Sequence, residues 1–553
     1  MKKWLIKEVV SENVAELMEK YKTSRLAATI LANRTHILSD NPFNDPFLMK
    51  DMQRCVDRIN LALENNEQIT IYGDFDVDGV TSTTILYLYL ESKGANVKFY
   101  IPDRVDEGYG INLAALKTIK QSGTSLVITV DTGITAVNEI AEGIKEGLDI
   151  IITDHHEPKE TIPECVAVVN PKQANCPYSF KDLAGVGVAF KLIQALEGNQ
   201  DSLNEYMPLV CLGTIADIVP LVGENRTFAK LGLKNFAASE NPGIQALIKA
   251  ANLEGKPLTS SSIGFGLAPR INAAGRLGSA NKCVEMFICK DHKTAAQIAR
   301  TLNEENQNRQ KVEQEIFKQA IDIIETEGLY NDKVIVVAHR SWHQGVIGIV
   351  ASKIAERFCK PSILIALDDT YGKGSGRSIG EFNLFEALCA CEKHLVKFGG
   401  HTLAAGLTIL TENVSLFRDA LNIYAPDLPE YIPTIHVDSF LEPDELTFET
   451  VRQLRRLEPY GSGNPTPMLA YLAARITLLS TVSDGKHLRL TVERNGHYLD
   501  TIGFGLGDSI EFFNKGDIVD IVGILDINTY QEKQKLQLTL KDIRKTGEFH
   551  ERN

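Results

Sequence analysis

Three short acidic motifs close apolar runs in the first half of the chain. ITIYGDFDVDG carries Asp74, Asp76 and Asp78, LVITVDTG ends on Asp131, and LDIIITDHHE supplies Asp154, His155 and His156. A later segment, LVCLGTIADIVPL, adds Asp217. Several carboxylates converging with an imidazole would repel one another unless cations sat between them. Oxygen and imidazole ligands suit Mn²⁺ or Mg²⁺ better than a thiolate-seeking metal. A pair of such ions can activate water, hold a scissile phosphate and stabilise the leaving oxygen, so the chemistry to expect is two-metal phosphoester hydrolysis. Asp131, from the middle motif, is the candidate bridge. Asp76 and Asp78 lie two residues apart on a tight turn, so their side chains can reach different ions. His155 and Asp217 would complete the second ion's shell.

These side chains need a scaffold that brings them to one place. The three runs are short, rich in Ile, Val and Thr, and stop at turn signals, which is how buried parallel strands read. In an open α/β sheet the carboxyl ends of the strands line the ligand crevice. From about residue 66 to 235 strands alternate with helical segments such as TSTTILYLYLESKG, INLAALKTIKQSG and ITAVNEIAEGIKEG, the pattern of a parallel sheet. A lone Asp at a strand end is more often a turn or helix cap than a ligand. Four such segments feeding one sheet favour ligation, although IADIVP around Asp217 also reads as a simple helix end.

Residues 1–65 read as a helical segment, with Ser11 as a cap-like start, and 66–280 as the catalytic domain. Residues 281–330 lack Gly and Pro until their end and include the polar run NEENQNRQKVEQE; one long helix there would bridge two bodies through solvent. A second α/β unit, 331–425, follows. APDLPEYIPT is a Pro-bearing linker, and 432–553 form a domain whose alternating runs predict a small barrel of the oligonucleotide-binding type. In KHLRLTVER, Leu488, Leu490 and Val492 fall on one face and His487, Arg489 and Thr491 on the other. At 553 residues the chain is too long for one core. Its net charge of −14 argues mildly against a polyanionic partner, but part of that charge is the metal-site carboxylates. Nine scattered cysteines without a CxxC pair suggest reduced thiols and a cytoplasmic protein. MKKWLIKEVVSENVAEL has no apolar core, so no secretory leader is expected, and no stretch is long enough to span a membrane.

GDFDVDG, VDTG, TDHHE and GTIADIVPL, in this order, resemble the four motifs of the DHH phosphoesterases. GSGRSIG and FGGHTLAAG resemble the DHHA1-type domain associated with them. KYKTSRLAATILANR, LAPRINAAGRLG, NEENQNRQ, WHQGVIGIVASKIAERF and LEPYGSGNPTPML narrow the resemblance to the single-stranded-DNA exonucleases of that superfamily, over nearly the whole chain. The loop NPFNDPF departs from the pattern. The resemblance implies an α/β fold: a DHH parallel-sheet catalytic domain, a long connecting helix, a DHHA1-type α/β domain and a C-terminal OB-like barrel. It implies two divalent cations, Mn²⁺ or Mg²⁺, and 5′→3′ cleavage of single-stranded DNA to 5′-mononucleotides in repair and recombination. A helicase and a single-strand-binding protein are the implied partners. By resemblance Asp74 is a further acidic contributor near the first ion, His156 faces the substrate as phosphate binder or general acid, and Asp154 orients an imidazole or backbone group.

Substrate-binding candidates follow from the same segments. GKGSGRSIG sets Ser375, Arg377 and Ser378 among glycines, which as a bare pattern is either a phosphate loop or a turn. GGHTLAAG puts His401 at an apparent helix start, a favourable anion site or a simple cap. LAPRINAAGRLG offers Arg270 and Arg276 in an apparent loop; Arg276 is the candidate phosphate contact, and a structural salt bridge competes for Arg270. In the barrel, Lys486, His487 and Arg489 could track a strand, with Tyr460 or Tyr498 as stacking surfaces. Two other readings stand beside this one. A phosphodiesterase for short oligoribonucleotides or cyclic dinucleotides would not need the N-terminal segment and the barrel. A catalytically dead DNA-binding scaffold would have lost ligands that are all present here.

Overall fold

The computed structural model describes every residue except 1, 9–12, 38–42, 105, 106, 109, 199, 200, 428–430, 531, 532 and 548–553. Ser11, two residues of NPFNDPF (Asn41 and Pro42) and part of the Pro-bearing linker lie outside the described residues. The chain divides into two compact units, Asn44–Asp217 with Leu231–Pro433, and Met1–Phe43 with Ile218–Lys230 and Thr434–Asn553.

The larger unit holds two five-stranded sheets. In the first, the strands run in the order Asn96–Tyr100, Gln68–Tyr72, Leu126–Val130, Asp149–Thr153, Ala167–Val169, all parallel. Leu126–Val130 is buried throughout and Asp149–Thr153 from its second residue on, so helices cover both faces and the strands need no polar side. The order reverses between Gln68–Tyr72 and Leu126–Val130, and a crevice opens beyond the carboxyl ends at such a switch point. Tyr72 sits beside Thr129 and Val130 beside Thr153, so the residues following all three strands emerge at one edge.

The second sheet runs Leu395–Gly400, Ala404–Leu410, Tyr371–Arg377, Ser362–Leu367, Ile335–His339, antiparallel except for its last pair. Here the expected phosphate loop GKGSGRSIG is mostly strand. Its glycines make room for the core: a Cβ on Gly372 would meet Ile365, on Gly374 Leu407 and on Gly376 Leu384, at 2.7–2.8 Å. His401 starts no helix; it sits in the hairpin before Ala404–Leu410 and its N–H bonds Ala404 O at 2.8 Å. LAPRINAAGRLG is likewise not a loop but the helix Ala268–Leu277, entered through a π-helical turn, Ser262–Leu267.

The connector also differs from expectation. It is two helices, Asn281–Ile288 and His292–Thr326, broken where Asp291 caps the second by accepting from Thr294 N–H at 2.8 Å. Its polar run is not solvated all round. Asn306 and Glu313 are 3% and 6% exposed, and Glu313 pairs with Arg309 on its own helix and with Lys353 on the helix Ile347–Phe358. The run therefore has one inward face, carrying Asn306 and Glu313, and one solvated face.

In the smaller unit the N-terminal segment is not wholly helical, because Lys3–Ile6 is a strand parallel to Thr434–Val437. The helices Val14–Tyr21 and Arg25–Ala32 share a core with the barrel through Leu17, Leu26 and Ile30 packed with Leu454, Tyr471 and Leu488. Arg34, 2% exposed, bonds Asn464 Oδ1 at 2.8 Å and pairs with Asp438 at 2.9 Å, which ties the LANR and GSGNP segments together. The barrel closes because Leu469–Val482 pairs both with His487–Arg494 and with Ile518–Tyr530. Leu488, Leu490 and Val492 point into it as their alternation predicts. Tyr460 is half-buried against this core with its hydroxyl donating to Leu454 O, whereas Tyr498 is 67% exposed.

Candidate metal centre

The first motif builds a loop between strand Gln68–Tyr72 and helix Val77–Ser92. Asp76 is the helix N-cap, accepting from the N–H groups of Asp78 and Gly79 at 2.9 and 3.0 Å. Asp78, in the first turn, is buried and accepts from Gly185 and Val186 N–H at 2.6 and 2.8 Å, the start of helix Gly185–Glu197. Gly185 allows that approach: a Cβ there would lie 2.6 Å from Asp131 Oδ1. Gly79 has the same role on the other side, with a Cβ position 2.4 Å from Asp74 O.

Asp131 follows its strand at φ +61°, a left-handed conformation costly for a side chain other than glycine. The turn is held by Thr129 Oγ1 donating to Thr132 O at 2.7 Å. His155 Nε2 lies 3.1 Å from Asp131 Oδ1, 3.7 Å from Asp217 Oδ2 and 3.8 Å from Asp78 Oδ2. Asp217 caps the C-terminus of helix Met207–Ala216, so the helix-end reading holds for the backbone while the carboxylate reaches the cluster. Ligand atoms of Asp74, Asp76 and Asp131 fall within 4.8 Å of one another, as do those of Asp78, His155 and Asp217. Asp131 belongs to the first trio and touches the second through His155.

The electrostatics follow from this crowding. Burial, then Asp76, pushes Asp74 up to about 8; burial, then Asp217, pushes Asp78 to about 7; burial, then Asp76, pushes Asp217 to about 7. Asp131 is raised well above the carboxylate range by burial and then by Asp78 and its other acidic neighbours. Burial lowers His155, leaving a neutral imidazole that can ligate. Asp74 Oδ1, Asp131 Oδ1 and His155 Nε2 are buried without a hydrogen-bond partner among the described residues. Oxygen and imidazole donors that are orphaned, crowded and held away from their charged form are a donor set that fits divalent cations of the Mn²⁺ and Mg²⁺ kind.

Asp154 is not in the cluster's first rank. It accepts from the N–H groups of Ile134, His155 and His156 and from His156 Nδ1, at 2.7–3.0 Å. Burial opposes its charge, but His156 and the backbone donors hold it below its usual range. His156 in turn is raised to about 9; burial opposes this and the Asp154 bond outweighs it. The pair presents a protonated imidazole, 43% exposed, beside His155 with ring centroids 4.4 Å apart.

A cationic group faces the acidic one. A Cβ on Gly275 would lie 2.5 Å from Phe75 O, so the helix Ala268–Leu277 rests on the first motif and sets Arg276 beside it. Arg276 donates to Gly345 O at 3.0 Å and is lowered to about 10 by burial, then by Arg104, Arg309 and Arg377. Arg104 stacks 4.9 Å from the Phe75 ring and feels Asp74 and Asp76. The sequence reading missed Arg104. Its position in the loop after strand Asn96–Tyr100, at the carboxyl edge of the sheet, was the available signal. Ser375 and Arg377 face the first turn of helix Ile347–Phe358, where a Cβ on Gly348 would sit 2.9 Å from Ser375 Oγ and 3.9 Å from the Arg377 guanidinium. Two candidates have their groups committed elsewhere. Ser378 Oγ donates to Phe382 O at 2.6 Å, and Arg270 donates to Asn303 Oδ1 at 3.0 Å and to Gly266 O, both neutral acceptors. His401 is exposed on its hairpin.

Comparison with known proteins follows the same division. The DHH family N-terminal domain matches residues 68–214, the DHHA1 domain 331–425 and the RecJ OB domain 437–542. The single-stranded-DNA-specific exonuclease RecJ of Bacillus subtilis is 40% identical over 98% of this chain and 70% of its own length. The Escherichia coli protein of the same name is 34% identical over 90% of each. The crystal structure of RecJ in complex with Mn²⁺ from Thermus thermophilus superposes with a TM-score of 0.86 and 29% identity over 98% of this chain and 79% of that one. A second structure of that protein, with Mg²⁺, gives a TM-score of 0.78 at 28% identity over 98% and 78%. Among the described residues no helix is long and apolar enough to cross a membrane.

Proposed function

The chain belongs to the RecJ family of DHH-domain proteins, and on that premise we propose that it is a metal-dependent exonuclease that degrades single-stranded DNA. The observation that carries this reading is the three overlapping ligand trios, Asp74–Asp76–Asp131, Asp78–His155–Asp217 and Asp131–His155–His156, which meet at Asp131 and His155, with orphaned buried oxygens and a neutral imidazole turned toward one another. Asp74, Asp76 and Asp131 would hold one Mn²⁺ or Mg²⁺; Asp78, His155 and Asp217, with Asp131 shared, would hold the other. When bound, such ions supply Lewis-acid activation of water and neutralise charge on the phosphate.

The protein's own groups do the rest. Arg276, Arg104 and Arg377 grip phosphate oxygens by charge-assisted bonds, with Ser375 beside them. Asp154 keeps the proton on His156 Nδ1 and stabilises the imidazolium, so that Nε2 can deliver a proton to the leaving 3′ oxygen. His401 on its hairpin contacts the backbone further along. Arg270 and Ser378 act by holding the local fold. In the barrel, Lys486, His487, Arg489 and exposed Tyr498 track the incoming strand. The polarity is 5′→3′, the products are 5′-mononucleotides, and the setting is cytoplasmic DNA repair and recombination, with a helicase and a single-strand-binding protein supplying the strand.

The test is a DNA strand labelled at one end, incubated with Mn²⁺ or Mg²⁺ beside duplex, RNA and a cyclic dinucleotide. Mononucleotides released from the 5′ end of unpaired DNA are expected. Preference for the cyclic dinucleotide would replace this reading with the small-substrate one.

A further inference from the structure

Among the described residues the most exposed large apolar side chain is Phe265, at 86%. It stands on the π-helical turn Ser262–Leu267, which runs without interruption into the helix Ala268–Leu277. Such turns are rare and recur at functional sites, because the extra residue re-aims a side chain. Along this continuous helix Ile263, Leu267, Ile271 and Ala274 are buried. Phe265, Pro269, Asn272 and Arg276 are left exposed or half-buried. Pro269, Asn272 and Arg276 fall on one stripe of the α-helix, and Phe265 stands on the π-helical turn at its N-terminal end. The stripe ends on Arg276, the arginine that faces the acidic cluster.

Both ends of the helix rest on segments that carry site carboxylates. At one end Gly275 abuts Phe75, between Asp74 and Asp76. At the other, a Cβ on Gly264 would lie 3.8 Å from Ile215 Cγ2, in the last turn of the helix that Asp217 caps. From Arg276 to Phe265 is eleven helical positions, about 16 Å at the α-helical rise. A strand whose scissile phosphate is gripped at Arg276 covers that length in a few nucleotides. Every base offers a flat apolar face, and a phenyl ring receives it without regard to sequence.

We propose that Phe265 is a stacking platform for a nucleobase of the single strand, a few nucleotides from the phosphate at Arg276. This rests on the nuclease reading above and adds a length-dependent binding step to it. The test is a split of KM against kcat for Phe265→Ala, Phe265→Leu and Phe265→Trp on thymidine oligonucleotides of increasing length, down to the dinucleotide. With long oligonucleotides Phe265→Ala and Phe265→Leu are expected to raise KM roughly five- to a hundredfold, the range of a lost base–aromatic stack, with kcat little altered. The effect shrinks as the substrate becomes too short to reach the ring, and Phe265→Trp keeps the wild-type KM. An equal rise for every length, wild-type behaviour of Phe265→Ala on long strands, or full rescue by Leu would each overturn the proposal. If the wild-type protein leaves single-stranded oligonucleotides intact, the nuclease reading itself falls, and this inference with it.

Discussion

Loading the centre with Mn²⁺ should expel protons, in a number that depends steeply on pH. In the metal-free protein Asp74 titrates at about 8 and Asp78 and Asp217 at about 7, each raised first by burial. A carboxylate must be ionised to ligate a metal. At pH 6 these three groups are almost fully protonated and Asp131 is held protonated with them, so saturation with Mn²⁺ should release at least roughly two to three protons; at pH 9 Asp74, Asp78 and Asp217 should contribute almost none. Each proton displaced makes apparent affinity about tenfold tighter per pH unit. Stability carries the same sign. The unfolded carboxylates titrate near about 4, so from there to about 8 the folded protein binds more protons than the unfolded chain, and metal-free stability falls as pH rises. His156, raised to about 9, adds a loss in the same direction from its ordinary value upward. Mn²⁺ should therefore raise the melting temperature more at pH 8 than at pH 6. Calorimetric titration at pH 6 in buffers of different ionisation heat counts the protons directly. A release near zero would refute the claim that unrelieved charge in this pocket is what the metals answer.

Asp131→Ala should leave the fold intact and abolish Mn²⁺-dependent hydrolysis, read by circular dichroism and oligonucleotide cleavage, because it removes the carboxylate proposed to be shared by the two ions. Asp154→Asn should cost about 10–100-fold in activity and move the alkaline limb of the pH–rate profile from about 9 toward the ordinary histidine value near about 6.5; an unmoved limb would count against His156 as proton donor. Arg276→Ala should raise KM for oligonucleotides about ten- to a hundredfold, the worth of a charge-assisted bond, while Mn²⁺ affinity by calorimetry stays within a few fold. Gly374→Ala should lower stability by about 1–3 kcal/mol in urea denaturation, since its Cβ would stand 2.7 Å from Leu407 Cδ1 in a filled core.

The first sheet and its acidic edge were legible because buried parallel strands are continuous apolar runs and the candidate site residues follow each of them directly: Asp74, Asp76 and Asp78, then Asp131, then Asp154, His155 and His156. The register that aligns Tyr72 with Thr129 and Val130 with Thr153 then follows from topology. What misled were patterns with two physical causes. The glycines of GKGSGRSIG resemble a phosphate loop, but a strand packed tightly against Ile365, Leu384 and Leu407 demands the same residues. The run NEENQNRQKVEQE is solvated over most of its length, but Asn306 and Glu313 within it are buried, Glu313 pairing with Arg309 and with half-exposed Lys353, and composition does not mark which polar residues turn inward. Lys3–Ile6 gains its strand partner more than four hundred residues away, so nothing local marks it. Arg104 was hidden for the opposite reason: it is one arginine in an ordinary loop, and only the fold brings it to Phe75 and Asp74.

Anomalous diffraction from crystals soaked in Mn²⁺ tests the central claim most directly. Two strong peaks are expected, one within bonding distance of Asp74, Asp76 and Asp131 and the other of Asp78, His155 and Asp217, with Asp131 contacting both. A pocket without peaks, or a single ion that leaves Asp131 Oδ1 and His155 Nε2 uncoordinated, would contradict the account.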